Sequence, residues 1–289
     1  MKLQSLVFTL LILVSAASSQ ASESSSNHPA SVNVMSFNIR YNNPNDGEHA
    51  WPNRKAHVAS VIEFHQAGLV GLQEVLRGQL DELAELLPDY AWVGVGRNDG
   101  QNAGEFAPIF YRTDRFELLD SGVFWLSETP NTIASKGWDA ALPRIATWAR
   151  FKDVSNDRDF LHLNTHFDHR GELARVRSSE LIISQLESLG ANLPVVVTGD
   201  FNVPPTSEAY QTMTSALNDS KMISDSMPHG PEGTFGGFTA ELDEANERID
   251  YVFVGSDTKV LRYGVLSDHW NGRYPSDHQP VLVEVQWPE

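Results

Sequence analysis

The 289-residue sequence contains no cysteine and few bases: 21 Lys and Arg stand against 38 Asp and Glu, a formal net charge of −17. Without thiols there can be no disulfide, thiolate nucleophile, Cys-ligated zinc or iron–sulfur cluster. Any metal must therefore be held by carboxylate, amide, imidazole or water. The shortage of bases argues against tight nonspecific binding to nucleic acid, which depends on Lys and Arg neutralising phosphates. Only a local basic patch would override it. Long apolar runs are missing too. The run Leu6 to Val14 falls well short of the roughly 18 residues a spanning helix needs. Lys2 precedes it and Ser19-Gln20-Ala21 follows it, which predicts a secretory signal over residues 1–21. No Cys follows that run as a lipid acceptor, so the expectation is a secreted or periplasmic protein without a stable membrane anchor. Ser22 to Ala30 (SESSSNHPA) predicts a flexible polar lead-in.

The remainder has ordinary globular content, with 41% apolar and 20% charged residues. From residue 31 to 289 no Pro/Gly/Ser-rich linker divides it, which predicts one domain of α/β (α+β) class. Runs rich in Val, Ile and Phe predict strands over Val32–Phe37, Leu69–Gln73, Pro108–Tyr111, Thr147–Phe151, Phe160–Thr165, Val195–Thr198, Ile249–Val254 and Val281–Val285. Apolar residues at three- and four-residue spacing predict helices over Arg54–His65, Gln79–Leu87 and Leu173–Leu189. The least regular stretch, Asn218 to Glu247, reads as a functional loop or lid, or equally as a disordered acidic insertion.

Five of the β-type runs carry polar or acidic residues at an end: Ser36-Phe37-Asn38, Leu72-Gln73-Glu74, Asn164-Thr165-His166, Thr198-Gly199-Asp200-Phe201-Asn202 and Arg248-Ile249-Asp250. A sixth cluster, Ser276-Asp277-His278, precedes the last run. Each alone has an ordinary explanation: a helix or turn cap for Glu74 or Asp200, a turn for Asn38, a buried hydrogen-bonded ring for His166, an Arg248 ion pair for Asp250. Together they predict more. If the ends share one rim, Glu74, Asp200, Asp250 and Asp277 converge, which is costly unless cations or protons offset the charge. Oxygen donors without Cys favour Mg²⁺, with Mn²⁺ or Ca²⁺ as alternatives, and Mg²⁺ leaves room for water and substrate phosphate.

In order and wording these motifs (SFN, QE, TH, GDFN, RIDYVF, SDH) resemble the endonuclease/exonuclease/phosphatase superfamily, the deoxyribonuclease I-like proteins, from about Val32 to Trp287. The opening SFNIRYNNPNDGEHAWPNRK looks like a secreted bacterial branch. The resemblance implies a four-layer α/β/β/α sandwich, two packed β-sheets flanked by helices. It implies Glu74 as the main metal ligand, beside Asn38 and Asp277. Asp200 and Asn202 would position the attacking water and a phosphate oxygen. His278 would accept or relay the water's proton, Asp250 would orient it, and His166 would serve a phosphate oxygen or the leaving group. Tyr111 lies near where some members place a phosphate-binding Tyr. Arg40 stands where several nucleases carry an acid, and suggests a phosphate contact in place of a second metal. His166 to Arg177 adds Asp168, His169, Arg170, Arg175 and Arg177, read either as a substrate clamp or as a solvated helix start. The expected activity is a secreted, metal-dependent phosphoesterase of a small or lipid- or sugar-linked phosphate ester, using an activated water in line. A nuclease and a noncatalytic phosphate-binding domain are the alternatives. Trp51, Trp125, Trp138 and Trp270 read as core filling or as stacking surfaces.

Overall fold

Side chains alternate across each strand, and the way the apolar ones divide between the two faces builds the layers of this protein. The computed structural model describes residues 31–190, 192–239 and 248–288. The predicted signal and lead-in, and residues 240–247 of the irregular stretch, lie outside the described residues. The strands are β1 (Val32–Asn38), β2 (Leu69–Gln73), β3 (Tyr90–Val93), β4 (Ile109–Arg112), β5 (Phe116–Trp125), β6 (Ile145–Asp153), β7 (Arg158–His166), β8 (Val195–Asp200), β9 (Asn218–Asp219), β10 (Asp250–Val254), β11 (Lys259–Val265) and β12 (Val281–Gln286). The α-helices are α1 (Lys55–Phe64), α2 (Arg77–Leu86), α3 (Glu172–Leu189) and α4 (Glu208–Thr214).

Two six-stranded sheets result, in the orders β11-β12-β1-β2-β4-β3 and β5-β6-β7-β8-β10-β9. Two neighbouring pairs, β1 with β2 and β7 with β8, are parallel. Val32, Val34, Leu69, Ile109, Val196, Val252, Val254 and Val283 point between the sheets. The alternate residues of the first sheet, among them Met35, Phe37, Val70 and Leu72, pack on Val58, Ile62, Leu80 and Leu83 of α1 and α2. Those of the second, including Leu161, Leu163, Val197 and Phe253, pack on Ile182 and Leu186 of α3 and Met213 of α4. The order is helices, sheet, sheet, helices, as the resemblance implied. No helix among the described residues is long and apolar enough to cross a membrane.

Followed toward one end, the inter-sheet face turns polar in step on neighbouring strands: Val34, Ser36, Asn38 on β1; His162, Asn164, His166 on β7; Val196, Thr198, Asp200 on β8. Asn164 ties the sheets together, its amide donating to the carbonyls of Leu72 (2.7 Å) and Pro108 (3.0 Å) and its Oδ1 accepting from Gln73 (2.7 Å). The His162 ring bonds Thr198 at 2.9 Å, and burial pushes it down to about 3, so it is neutral. Gly71 lets this belt close: a Cβ there would lie 2.0 Å from Thr198 Oγ1 and 2.4 Å from Asn164 Oδ1. Gly71→Ala is therefore expected to destabilise the fold by about 3 kcal/mol. Urea unfolding measures this, and a loss under about 0.5 kcal/mol would contradict the packing argument.

Candidate active site

Where the inter-sheet face turns polar, both sheets open on a cleft of about 540 Å³ lined by Arg40, Glu74, Arg144, His166, Asp200, Asn202, Asp277 and His278 among others. Parallel β1 and β2 deliver Asn38 and Glu74 side by side, and parallel β7 and β8 deliver His166 and Asp200. β10 runs antiparallel to β8 and so contributes its first residue, Asp250, opposite Asp200. Three residues here, Arg40 (φ 57°), Glu74 (φ 61°) and Asn202 (φ 52°), hold left-handed backbone without being glycine. That conformation costs about 1 kcal/mol or more each, strain of the kind found at functional sites.

Asn38 is the hub. Its Nδ2 donates to Glu74 Oε1 (3.2 Å) and Asp200 Oδ2 (2.9 Å), and its Oδ1 accepts from the Arg40 backbone (3.0 Å). Glu74 Oε2 accepts from the Tyr41 N–H at 3.1 Å. The Arg40 guanidinium is clasped by Asp46 (3.1 and 3.2 Å) and lies 3.8 Å from Asp277 and 4.0 Å from Glu74. Arg54, read from the sequence only as a helix start, is buried. It donates to the carbonyls of Ile39, Arg40 (2.7 Å), His49 (2.8 Å) and Pro275 (3.0 Å), bolting the loop after β1 to the one carrying Asp277. Burial pushes Arg54 down to about 10, against the pull of Asp277 and Asp46.

His278 Nδ1 meets Asp250 Oδ2 at 2.9 Å, and its Nε2 lies 3.9 Å from Asp200. On the other side of Asp200, His166 Nε2 lies 3.4 Å away. The two rings are pulled in opposite directions. Burial and the positive Arg144 and Arg97 hold His166 well below its ordinary value, so it is neutral. Burial pushes His278 down as well, but Asp250, Asp200 and Asp277 more than reverse it, and the ring keeps its proton well above the usual range. Burial, then the charge of Asp250, raises Asp200 to about 7. Burial likewise raises Asp277. Asp250 itself does not pair with Arg248, which is bound bidentately by Asp219 (3.0 and 2.6 Å).

This excess of buried carboxylate fits a hard divalent cation. Asp200, Asp250 and His278 offer ligand atoms within 4.8 Å of one another, but the Nδ1 of His278 is spent on Asp250. The oxygens of Glu74 and Asp277, which line the cleft, suit an oxygen-seeking ion better, with Asn38 buried behind them and its Oδ1 accepting from the Arg40 N–H.

Five expected substrate contacts are placed elsewhere. Tyr111 packs between the sheets against Phe151 (ring centroids 4.7 Å), because antiparallel β4 sets it opposite Leu69 at the far end of β2. Asp168 is buried and serves its own loop, accepting from the N–H groups of Gly171 (2.8 Å), Arg170 (3.0 Å) and Leu142 (3.2 Å). Burial opposes its ionisation, yet these backbone donors hold it below the usual carboxylate range. Arg170 is exposed outside the cleft, and Arg175 donates to the Asp168 carbonyl at 3.1 Å. Arg177 pairs with Glu180 on the surface. Of that segment only His166 and His169 line the cleft. Trp51 and Trp125 are core residues; neither they nor Trp138 and Trp270 line it.

Two residues escaped the sequence reading. Arg144 is 4% exposed, meets His169 Nδ1 at 3.1 Å and Asp168 at 3.5 Å, and lines the cleft with Nη1 unpartnered. Glu105 sits 3.9 Å from His166 and is held by Arg97 at 2.8 Å through both oxygens. The irregular stretch also takes part: Thr234 Oγ1 accepts from the Ile249 (3.0 Å) and Asp250 (3.1 Å) N–H groups, and Phe235 bridges to His278.

A model of the family described as Endonuclease/Exonuclease/phosphatase family matches residues 35–278. A solved endonuclease/exonuclease/phosphatase structure from Bacteroides vulgatus is 42% identical, with a TM-score of 0.86 over 89% of this chain and 99% of that one. A mannosyl-6-phosphatase from Bacteroides thetaiotaomicron is 41% identical, with a TM-score of 0.84 over 89% and 100%. Nocturnin of Xenopus laevis is 25% identical over 93% of this chain and 76% of its own length. With the site geometry, these matches show that the chain belongs to the endonuclease/exonuclease/phosphatase family and is a hydrolase of phosphate-ester bonds.

Proposed function

We propose that this protein is a divalent-metal-dependent phosphoesterase of small substrates, a sugar phosphate monoester first among them, acting after export as a secreted or periplasmic enzyme. The observation that carries the reading is the geometry of the cleft, where the acids Glu74, Asp200 and Asp277 call for a cation and His166 and His278 lie 3.4 and 3.9 Å from Asp200. Environments that push neighbouring titrating groups apart assign acid and base roles.

Glu74, with Asn38 and Asp277, would hold Mg²⁺ or Mn²⁺. Such an ion neutralises phosphoryl charge and stabilises the leaving oxygen. Asp200 and Asn202 hold the attacking water, and Asp200, near 7, takes its proton as the oxygen–phosphorus bond forms and the ester bond breaks. The sequence reading gave that role to His278. A ring that retains its proton is better suited to neutralise a phosphoryl oxygen, with Asp250 keeping it charged. Neutral His166 donates to a second phosphoryl oxygen. Arg144, with an unpartnered N–H, supplies the fixed charge that the clamp segment was expected to provide.

A small substrate suits the net charge of −17 and the 41% identity to a protein described as a mannosyl-6-phosphatase. The test is phosphate release from mannose 6-phosphate and methyl phosphate, beside a bis-aryl phosphodiester and an oligonucleotide, with Mg²⁺, Mn²⁺, Ca²⁺ or chelator. The expected result is metal-dependent hydrolysis of the monoesters. Cleavage of the oligonucleotide without monoester hydrolysis would replace this reading with the nuclease. Phosphate binding by folded protein with no turnover of anything would replace it with a binding domain.

A further inference from the structure

Most of the cleft wall is charged or polar, yet two large apolar side chains on it face water: Phe235 is 42% exposed and Leu142 37%. Most other large apolar residues are buried in the layers, since leaving them in water forfeits the gain from burial. Phe235 is also held still. Its backbone bridges to His278, the Gly236 and Gly237 N–H groups donate to the Asp277 carbonyl (2.8 and 3.0 Å), and the Gln279 N–H donates to the Thr234 carbonyl at 2.7 Å. The ring meets His278 edge to face at 5.0 Å. On the other rim Leu142 is fixed through its N–H to Asp168 and lies two residues before Arg144.

We infer that Phe235, with Leu142, is the specificity surface for the leaving alcohol, and that this alcohol is a pyranose whose C–H face lies on the Phe235 ring. The inference rests on the phosphomonoesterase reading above. A phosphoryl group seated among His166, His278, Asn202 and Arg144 leaves its ester oxygen to face the cleft mouth. An aromatic ring preorganised there binds a flat apolar surface without ordering cost. A pyranose presents such a face from its axial C–H groups and keeps its hydroxyls at the edge, toward water. Methyl phosphate offers no such face.

The test compares hexose 6-phosphate with methyl phosphate. Wild type is expected to favour mannose 6-phosphate in kcat/KM by about 10-fold or more. Phe235→Ala is expected to raise KM for mannose 6-phosphate by about 10-fold, with the inhibition constant of inorganic phosphate moving less than about two-fold. Phe235→Tyr restores KM, and Leu142→Ala gives a smaller rise of about three-fold in the same direction. If Phe235→Ala instead lowers kcat equally on both esters and shifts the pH profile, the ring acts only by positioning His278 and the inference falls. It falls too if wild type hydrolyses methyl phosphate as well as the sugar ester, although the phosphoesterase reading then stands. Turnover of neither ester removes both.

Discussion

His278→Ala is expected to lower kcat by about 10³-fold, at the upper end of what one preorganised donor to developing phosphoryl charge contributes. The ring is buried, bonded to Asp250 at 2.9 Å, and within 3.9 Å of Asp200, so no other side chain can take its place. Alanine also strands Asp250, whose Oδ1 is already unpartnered, as a buried charge, and breaking such a pair typically costs about 3–5 kcal/mol. Asp250→Asn is the cleaner companion, because it keeps the shape and removes the charge that holds the proton. The ring's titration should then fall toward its ordinary range, which NMR of the imidazole nitrogens reads directly, and the alkaline limb of the pH–rate profile should move down with it. The sign for stability follows from the same shift. A histidine raised on folding contributes stability that is fully present below its unfolded value and is lost as pH rises through its folded one. The wild-type advantage over His278→Ala should therefore be largest near pH 6 and shrink in alkali. An unchanged titration in Asp250→Asn would remove the charge-holding role.

Glu74→Gln should abolish both turnover and the response to metal, and the second readout needs no substrate. In wild type at pH 8, Mg²⁺ or Mn²⁺ near 100 times its dissociation constant should raise the melting temperature by about 5 °C or more. At pH 5 the gain should be much smaller. Burial raises Asp200 to about 7, so at pH 5 it still holds its proton and withholds the negative charge that draws a cation in, and burial raises Asp277 beside it in the same direction. Those raised acids also make the metal-free fold lose stability as pH climbs from the ordinary carboxylate range toward 7, since each must ionise in a buried place. Glu74→Gln should melt at the same temperature with and without metal at both pH values. A full metal response in that variant would move the ion to Asp200, Asp250 and His278.

Eight strands were legible in the sequence, and all eight are interior strands of the two sheets. The four that were not, β3, β5, β9 and β11, are the four edges. An interior strand buried on both faces writes an apolar run into the sequence, whereas an edge strand borders water: β5 is buried only at its two ends, with exposed and half-buried residues between, and β11 carries an irregularity between Val260 and Arg262. The 7-residue helix α4 was too short to show a period. The site divides along a similar line. Residues at the ends of parallel strands, Asn38, Glu74, His166 and Asp200, could be collected by assuming that polar ends share a rim. Strands running the other way reach that rim with their beginnings. Asp250 at the start of β10 and Asp277-His278 ahead of β12 were found only because they belong to the RIDYVF and SDH motifs, whereas Arg144 just before β6 and Glu105 ahead of β4 belong to no motif and went unseen, and Tyr111 at the end of β4 was assigned to the wrong side. Strand direction is a property of topology, and a single run of letters does not carry it.

The pairing of β1 with β12 sets Val32 against Val285 and Ser36 against Val281 in the middle of a sheet. Contacts this distant along the chain are the slowest to form, since the closure entropy of the whole intervening loop is lost before they are made. Asn38, Glu74 and Asp277 therefore cannot meet on a partly synthesised chain, and a molecule still emerging from the ribosome has its catalytic groups scattered. The cleft is therefore expected to be complete only after β12 has docked beside β1, so that assembly of the site and closure of this sheet are one event.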